Sequence, residues 1–425
     1  MKLRREQVAW AFYDWANSAF ATTVMAGFFP IFFKQHWSTG SAAESTFQLG
    51  MANSLASLAI MLSAPFLGAL ADQGGNRKHF LAAFALVGIV ATGALHFIAP
   101  GQWQLALLCY GLAALGLMGG NIFYDSLIVD VSRESERDFL SGFGFAIGYL
   151  GGGLLFAVNV ATTQWPAWFG LESAAHAVQV SFLTVAVWWG CFAMPLFLMV
   201  REPRPMAAQP QAPAVGAALR ELMTTIRSLG HLRITFLFLV AYWFYIDGVD
   251  TVIVMAIDYG VSLGLNPNSL LVALLITQFV GFPAAIAFGM LGERFGAKTG
   301  LFIAIGVYAL AVLWAVQMNS EREFYALAVT IGLVQGGIQS LSRSLYSTII
   351  PQNKAAQFFG FYNMLGKFAA VLGPAMVGGV ALLTGNPRLS ILSIIVLFAA
   401  GATCLYFVNV SAAREAARNL GETTT

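Results

Sequence analysis

The sequence runs to 425 residues, of which 58% are hydrophobic and only 10% charged, against roughly 25% charged in ordinary soluble domains. A soluble fold has nowhere to hide that much apolar surface, whereas twelve membrane helices of about 20 to 25 residues account for the length with short connections. The formal net charge of +2 lacks the clustered Lys and Arg of a nucleic-acid surface. Cys109, Cys191 and Cys404 fall in three separate hydrophobic runs, with neither disulfide nor metal-ligand spacing.

The chain opens MKLRREQVAWAFYDW, basic and then interrupted by polar residues. Without a small-residue cleavage site it reads as a retained first span. Hydrophobic runs punctuated by Gly, Pro and charge place the first six spans at 8–33, 46–70, 79–98, 103–131, 139–160 and 178–200. A second six follow at 233–260, 268–291, 299–318, 323–349, 356–384 and 388–410. Between the sets lies a polar stretch with Pro203, Pro205, Pro210 and Pro213, the composition of a linker. The expected organisation is a six-helix bundle over 1–200, a cytoplasmic linker over 201–230 and a second six-helix bundle over 231–425. Eighteen of the 22 Lys and Arg fall in loops on the N-terminal side; Lys34, Arg322 and Arg388 fall opposite, and Lys367 lies inside a span. Because the excess marks the cytoplasmic face, both termini are expected there.

The two halves repeat. GALADQGGNRK after span 2 and GMLGERFGAKT after span 8 align Gly68, Leu70, Asp72, Gly75 and Arg77 with Gly289, Leu291, Glu293, Gly296 and Lys298 at a constant offset of 221. Gly119 and Gly120 likewise match Gly336 and Gly337, and Gly142, Phe143 and Gly148 match Gly360, Phe361 and Gly366. In each loop an acid ending one helix is expected to pair with a base starting the next across a tight glycine turn, gating the interface. The plainer alternative is a set of solvated charges that fixes topology. Repeated six-span halves are an architecture of carriers that hold solute between the halves near mid-membrane.

The loops resemble the repeated cytoplasmic motif of the major facilitator superfamily, with Gln73 and Asn76 at positions usually basic and Glu293 in place of Asp. AFYDWANSAFATTVMAGFFPIFF, NIFYDSLIVDV, GYLGGGLLF, YIDGVDT, ITQFVGFPAA, VQGGIQSLSRSLY and FFGFYNMLGKFAAVLGP together resemble the Unknown Major Facilitator family, related to the autophagy-linked vacuolar amino-acid effluxers of fungi. The likeness runs from about Ala9 to Phe407. It implies an all-α, twelve-span fold of two pseudo-symmetric bundles, spans 1, 4, 7 and 10 around a central cavity, and an amino-acid-like solute.

Chemistry is expected where charge is costly, since an Asp, Lys or Arg at a helix centre costs about 2.5 to 3.5 kcal/mol on insertion scales. Asp14, Asp125, Asp247, Asp250 and Lys367 are such residues. Spacing of three or four places Asn17 beside Asp14, Asn121 beside Asp125 and Asn363 beside Lys367 on their helices, and makes a stripe of Gln335, Gln339, Ser342, Arg343 and Tyr346. One reading has Asp14 and Asp247 take a substrate ammonium or a coupling proton while Lys367 and Arg343 receive a carboxylate. The other has these groups neutralise one another, Asp247 with Lys367 for example. Arg343 is also placed as a gate residue near the cytoplasmic face. Tyr13 and Tyr245, beside acids, are candidates for cation–π contact. The Gly151–Gly153 and Gly378–Gly379 runs are expected to let helices approach closely.

No phosphate-cradling loop, nucleophile elbow or zinc-ligand helix occurs, so neither ATP-driven transport nor membrane-embedded catalysis is expected. The expectation is a cofactor-free, metal-free secondary transporter acting as a single copy in a bacterial inner membrane. Its partners are a small-molecule substrate, protons as coupling ion and the lipid bilayer, with no nucleic acid. A channel or lipid scramblase is the competing class.

Overall fold

Charge punctuation and apolar length alone build the framework. In the computed structural model, which describes residues 3–202, 232–262 and 267–422, twelve helices are long and apolar enough to cross a bilayer. The first half holds α1 (Arg5–Trp37), α2 (Phe47–Gly74), α3 (Arg77–Phe97), α4 (Trp103–Val131), α5 (Glu134–Gln164) and α6 (Ala174–Met199). The second holds α7 (Arg233–Ile253), α8 (Val272–Phe295), α9 (Ala297–Ala315), α10 (Glu321–Thr348), α11 (Gln352–Thr384) and α12 (Arg388–Tyr406). A thirteenth helix, α13, runs Val410–Glu422. The expected linker 201–230 lies outside the described residues from 203 onward, and its four prolines with it.

Local chemistry sets the helix ends. Ser41 and Glu44, and again Ser320 and Glu323, form reciprocal capping boxes that satisfy the first backbone N–H groups of the helices leading into α2 and α10. Gly75 and Gly296 turn the chain at φ of 57° and 85°, a conformation that costs glycine least. Glu202, just past α6, accepts from the backbone N–H of Arg77 (2.7 Å) and Lys78 (3.2 Å) and so caps α3 from another span.

Two elements depart from the expected pattern. The regular helix predicted over 8–33 is widened into π-helical turns at Phe20–Phe28 and Phe33–Trp37, bracketing the short α segment Phe29–Phe32. Pro30 has no N–H to give to that ladder, and the wider turns reroute around it. The last span ends at Tyr406 rather than 410, and Arg414 and Arg418 stand on α13. That helix buries Ala413 and Ala417.

The halves pack alike. The first half joins α1 to α5 and α6, α2 to α4, and α3 to α4; the second joins α7 to α11 and α12, α8 to α10, and α9 to α10. The surface is inverted relative to a soluble protein: Leu62 and Leu198 stand 72% and 79% exposed, while Asp247 and Arg343 are 0% and 2% exposed. This is the arrangement a hydrocarbon solvent requires.

The repeat explains how the halves meet. A Cβ on Gly68 would overlap the Ala356 carbonyl and approach Gln357, and one on Gly289 would lie 3.1 Å from the Asp138 carbonyl and 3.2 Å from Phe139. Gly360 faces Ala64 and Pro65 at 2.6 and 2.8 Å, and Gly142 faces Ala285 and Gly289 at 2.7 and 2.9 Å. The pairs α2/α11 and α8/α5 are therefore two copies of one glycine-lined interface. Of the two glycine runs, Gly151–Gly153 do press against Trp15, Ser18, Thr22 and Gln278, whereas Gly378 and Gly379 have no neighbour within 4 Å of a Cβ position among the described residues.

Both ends of the described chain lie at one end of the bundle. Arg4 donates to Glu136 at 2.9 Å, while Arg414 and Arg418 of α13 reach Glu134 at 2.8 and 3.0 Å. Gly360→Leu should keep this end from closing. In a cysteine-free background carrying Ser141→Cys, a position buried between the halves, thiol labelling should accelerate. Gly378→Leu should leave the labelling rate unchanged.

Candidate functional site

The polar stripe of α10 includes Arg343, and the fold brings two acids from the other half to it. Asp125 Oδ1 lies 3.1 Å and Asp14 Oδ2 3.2 Å from the guanidinium. Arg343 also donates through Nε to Ser141 Oγ (2.9 Å) and through Nη2 to the Ser141 carbonyl (3.1 Å). Its plane packs over Phe145 at 4.3 Å and Trp10 at 4.9 Å. Tyr124 donates to Asp14 Oδ2 at 2.7 Å, and Asn363 of α11 to Asp125 Oδ2 at 3.4 Å. Asn17 is taken up by Asn121 at 2.8 Å, within the first half. Gly144 makes room for the group, because a Cβ there would sit 2.7 Å from Asp14 Oδ2 and 3.1 Å from the guanidinium. A cation in hydrocarbon is thus neutralised twice, and both acids belong to the opposite half.

The expectation that Arg343 receives a solute carboxylate changes accordingly, since two carboxylates and a serine already occupy its fork. Tyr124, Ser141, Trp10 and Phe145 were not singled out from sequence. The only signal available was Tyr124 standing next to Asp125 in NIFYDS.

Below this hub, toward the terminus-bearing end, the first loop forms a network. Arg77 bonds Asp72 at 2.7 Å and Asp130 at 2.9 Å, and donates to the Gln352 carbonyl at 3.4 Å. Asp72 in turn accepts from the backbone N–H of Ala356 (3.1 Å) and Gln357 (2.8 Å), the first turn of the helix continuing through α11. One carboxylate therefore holds its own loop and caps a helix of the other half. Burial pushes the neighbouring Glu202 carboxyl up from its ordinary range, against its two backbone bonds.

The second loop does not repeat this. Lys298, expected to pair with Glu293, instead donates to the carbonyls of Tyr406 (2.9 Å) and Val408 (2.8 Å) at the end of α12. Its structural counterpart is Lys78, which donates to the Phe197 and Val200 carbonyls at the end of α6. Glu293 is exposed, and the helix start it would cap carries Asp138, whose charge opposes it. Asp138 accepts from Ser344 of α10 instead. Arg137 beside it donates to the Ser347 carbonyl at 2.7 Å.

The second half separates its charges into committed and uncommitted ones. Asp247 accepts from the Gly373 backbone N–H at 3.0 and 3.1 Å and faces the Thr251 hydroxyl at 3.4 Å. Lys367 does not pair with it; the charge acting on Lys367 is that of Asp250. Asp250 and Lys367 are both partly exposed, and among the described residues neither has an ion pair within 4 Å. Gln339 accepts from Tyr149 across the halves at 3.2 Å. Tyr13 and Tyr245, expected beside a solute, are fully buried. Tyr13 lies on the Tyr124 ring at 4.9 Å, and the Tyr245 hydroxyl bonds Ser342 at 2.7 Å. Both are enclosed by protein in this structure.

Twelve spans in two matching halves, fastened to each other at one end through Arg343 and Asp72, define a secondary transporter of the major facilitator class. Residues 40–138 and 129–418 match the family described as "Vacuole effluxer Atg22 like", and the chain belongs to that family. It is 37% identical over 410 residues to the "Uncharacterized MFS-type transporter YxiO" of Bacillus subtilis, covering 96% of this chain and 95% of that one. It is 25% identical to "Autophagy-related protein 22-1" of Phaeosphaeria nodorum, over 83% of this chain and 74% of the relative. Among solved structures it is similar to the human organic anion transporter MFSD10, at TM-score 0.72 and 13% identity over 95% of this chain and 99% of that one. The protein is an integral membrane transporter and not an enzyme.

Arg343→Met leaves two acids facing each other in an apolar site and should cost about 3 to 5 kcal/mol of stability, read as a lowered melting temperature in detergent. Adding Asp14→Asn and Asp125→Asn should recover most of that loss. Glu134→Gln removes only partly exposed pairs, so melting should change by less than about 1 kcal/mol. Limited proteolysis of α13 should nevertheless accelerate.

Proposed function

We propose that the protein is a proton-coupled carrier of a small zwitterionic metabolite, an amino acid or a similar solute, working by alternating access in a bacterial inner membrane. The observation that carries this reading is the division of labour among its buried charges. Arg343, Asp14 and Asp125 tie the two halves together, while among the described residues Asp250 and Lys367 make no ion pair within 4 Å. A solute that brings a carboxylate to Lys367 and an ammonium to Asp250 satisfies both at once; a neutral solute satisfies neither.

Protonation supplies the coupling. Adding a proton to Asp125 removes a charge that Arg343 holds across the halves, so protonation weakens the fastening at this end and deprotonation restores it. Asp72 and its two backbone donors provide the second fastening, and α13 lies across the same end. The Lys and Arg excess in the loops supports placing this end and both termini in the cytoplasm. The resemblance of the sequence motifs to the vacuolar amino-acid effluxers of fungi supports an amino-acid-like cargo, and the Bacillus subtilis relative supports a bacterial setting.

The test begins with a thermal-shift screen of purified protein against amino acids, peptides, sugars and organic anions. Flux of the hits into proteoliposomes follows, with and without a pH gradient. Zwitterions should stabilise, flux should saturate and show counterflow, and an imposed gradient should drive accumulation. Lys367→Met should abolish the stabilisation while leaving the melting temperature of the free protein within a few degrees. Stabilisation by sugars alone would sink the zwitterion, and flux indifferent to pH would sink the coupling. Linear, non-saturating flux would identify a channel or scramblase.

A further inference from the structure

The YIDGVDT segment contains two acids three residues apart, and the structure gives them different surroundings. Asp250 is partly exposed, whereas Asp247 is wholly buried with no cation in contact among the described residues. An isolated carboxyl at that depth requires a specific reason. Its contacts supply one: both its oxygens face the Gly373 N–H, and Thr251, one turn further along α7, completes the set.

Gly373 precedes Pro374, which lies inside α11. Proline has no N–H and crowds the carbonyl four residues back, so the ladder is interrupted there. The residue before a proline is pushed away from helical geometry by contact with its own Cβ, a contact that glycine lacks. Gly373 is further constrained because a Cβ on it would overlap the Thr251 hydroxyl and lie 2.8 Å from Asp247 Oδ1. Helix α7 therefore leaves no room for a side chain on α11 at Gly373, and the backbone donor next to Pro374 is received by a carboxylate. Lys367 lies six residues earlier on α11, about 9 Å along the axis.

We propose that Asp247 is a positioning residue: it anchors the break at Gly373–Pro374 to α7 and thereby sets where α11 presents Lys367 to Asp250. It does not itself carry solute or proton. The assignment goes beyond the proposed carrier function by dividing the two acids of α7, one for placement and one for the site. It rests on that function only in naming Lys367 as the group that is placed.

The test reads Lys367 directly. Purified protein is labelled with an amine-reactive reagent at a fixed pH, and the rate of modification of Lys367 is followed by peptide mass spectrometry. Asp247→Ala and Gly373→Ala should each change that rate by about fivefold, the order expected for losing one backbone anchor. Asp247→Asn keeps an oxygen facing the Gly373 N–H and should restore the parental rate. Gly373→Ala leaves Asp247 intact, so it carries the test if Asp247→Ala fails to fold.

An unchanged rate in both alanine variants would overturn the proposal, as would an Asp247→Asn rate matching Asp247→Ala. Altered labelling in a protein whose Lys367→Met variant still binds and transports its solute would leave the anchor standing. That outcome would instead remove Lys367 from the solute site.

Discussion

Hydrocarbon does not solvate charge, and this protein keeps an arginine and several aspartates away from the aqueous faces. Each must be neutralised, hydrogen-bonded or left reaching water, and these three outcomes are distributed over different parts of the molecule. Arg343 is neutralised by acids from the opposite half, so the electrostatic requirement of one residue becomes a mechanical link between two bundles. Asp247 is hydrogen-bonded to a backbone donor that a proline break leaves beside it. Asp250 and Lys367 remain partly exposed, which is why the proposed solute site lies there and not at the tighter cluster.

The repeat is clear in the backbone and broken in the charges. Gly68 and Gly289, and Gly142 and Gly360, line equivalent approaches of α2 to α11 and of α8 to α5. Only the first copy turns that approach into a lock, because Asp72 reaches two N–H groups of the facing helix and is steadied by Arg77. In the second copy an acid, Asp138, stands at the helix start that Glu293 would cap, and Lys298 is drawn to the end of α12. A symmetric scaffold thus carries an asymmetric fastening, and α13 brings two further arginines to the same end.

Much of the candidate site was legible as a set of residues but not as a set of contacts. Asp14, Asp125, Arg343 and Asn363 all stood out as polar residues in apolar helices, yet they come from α1, α4, α10 and α11, and nothing local dictates that they converge. Asp247 shows the opposite limit. Next to Asp250 in sequence it looks like the same kind of group, and only the packing of α11 beside α7 reveals that its acceptor is occupied. Tyr13 and Tyr245 show a similar limit, since an aromatic beside an acid along a helix can point into packing as readily as toward a site.

Composition, the length of the apolar runs, the glycine and charge punctuation between them and the 221-residue offset of the loops were enough by themselves to determine a twelve-helix membrane protein built from a duplicated half. These follow from local rules: the thickness of a bilayer, the turn geometry of glycine and the cost of charge in hydrocarbon. Which acid meets which base, which loop locks and which glycine run touches a neighbour were decided only by tertiary structure. Those pairings depend on the rotation and depth of each helix against partners far away in sequence, and periodicity along one helix carries no information about either.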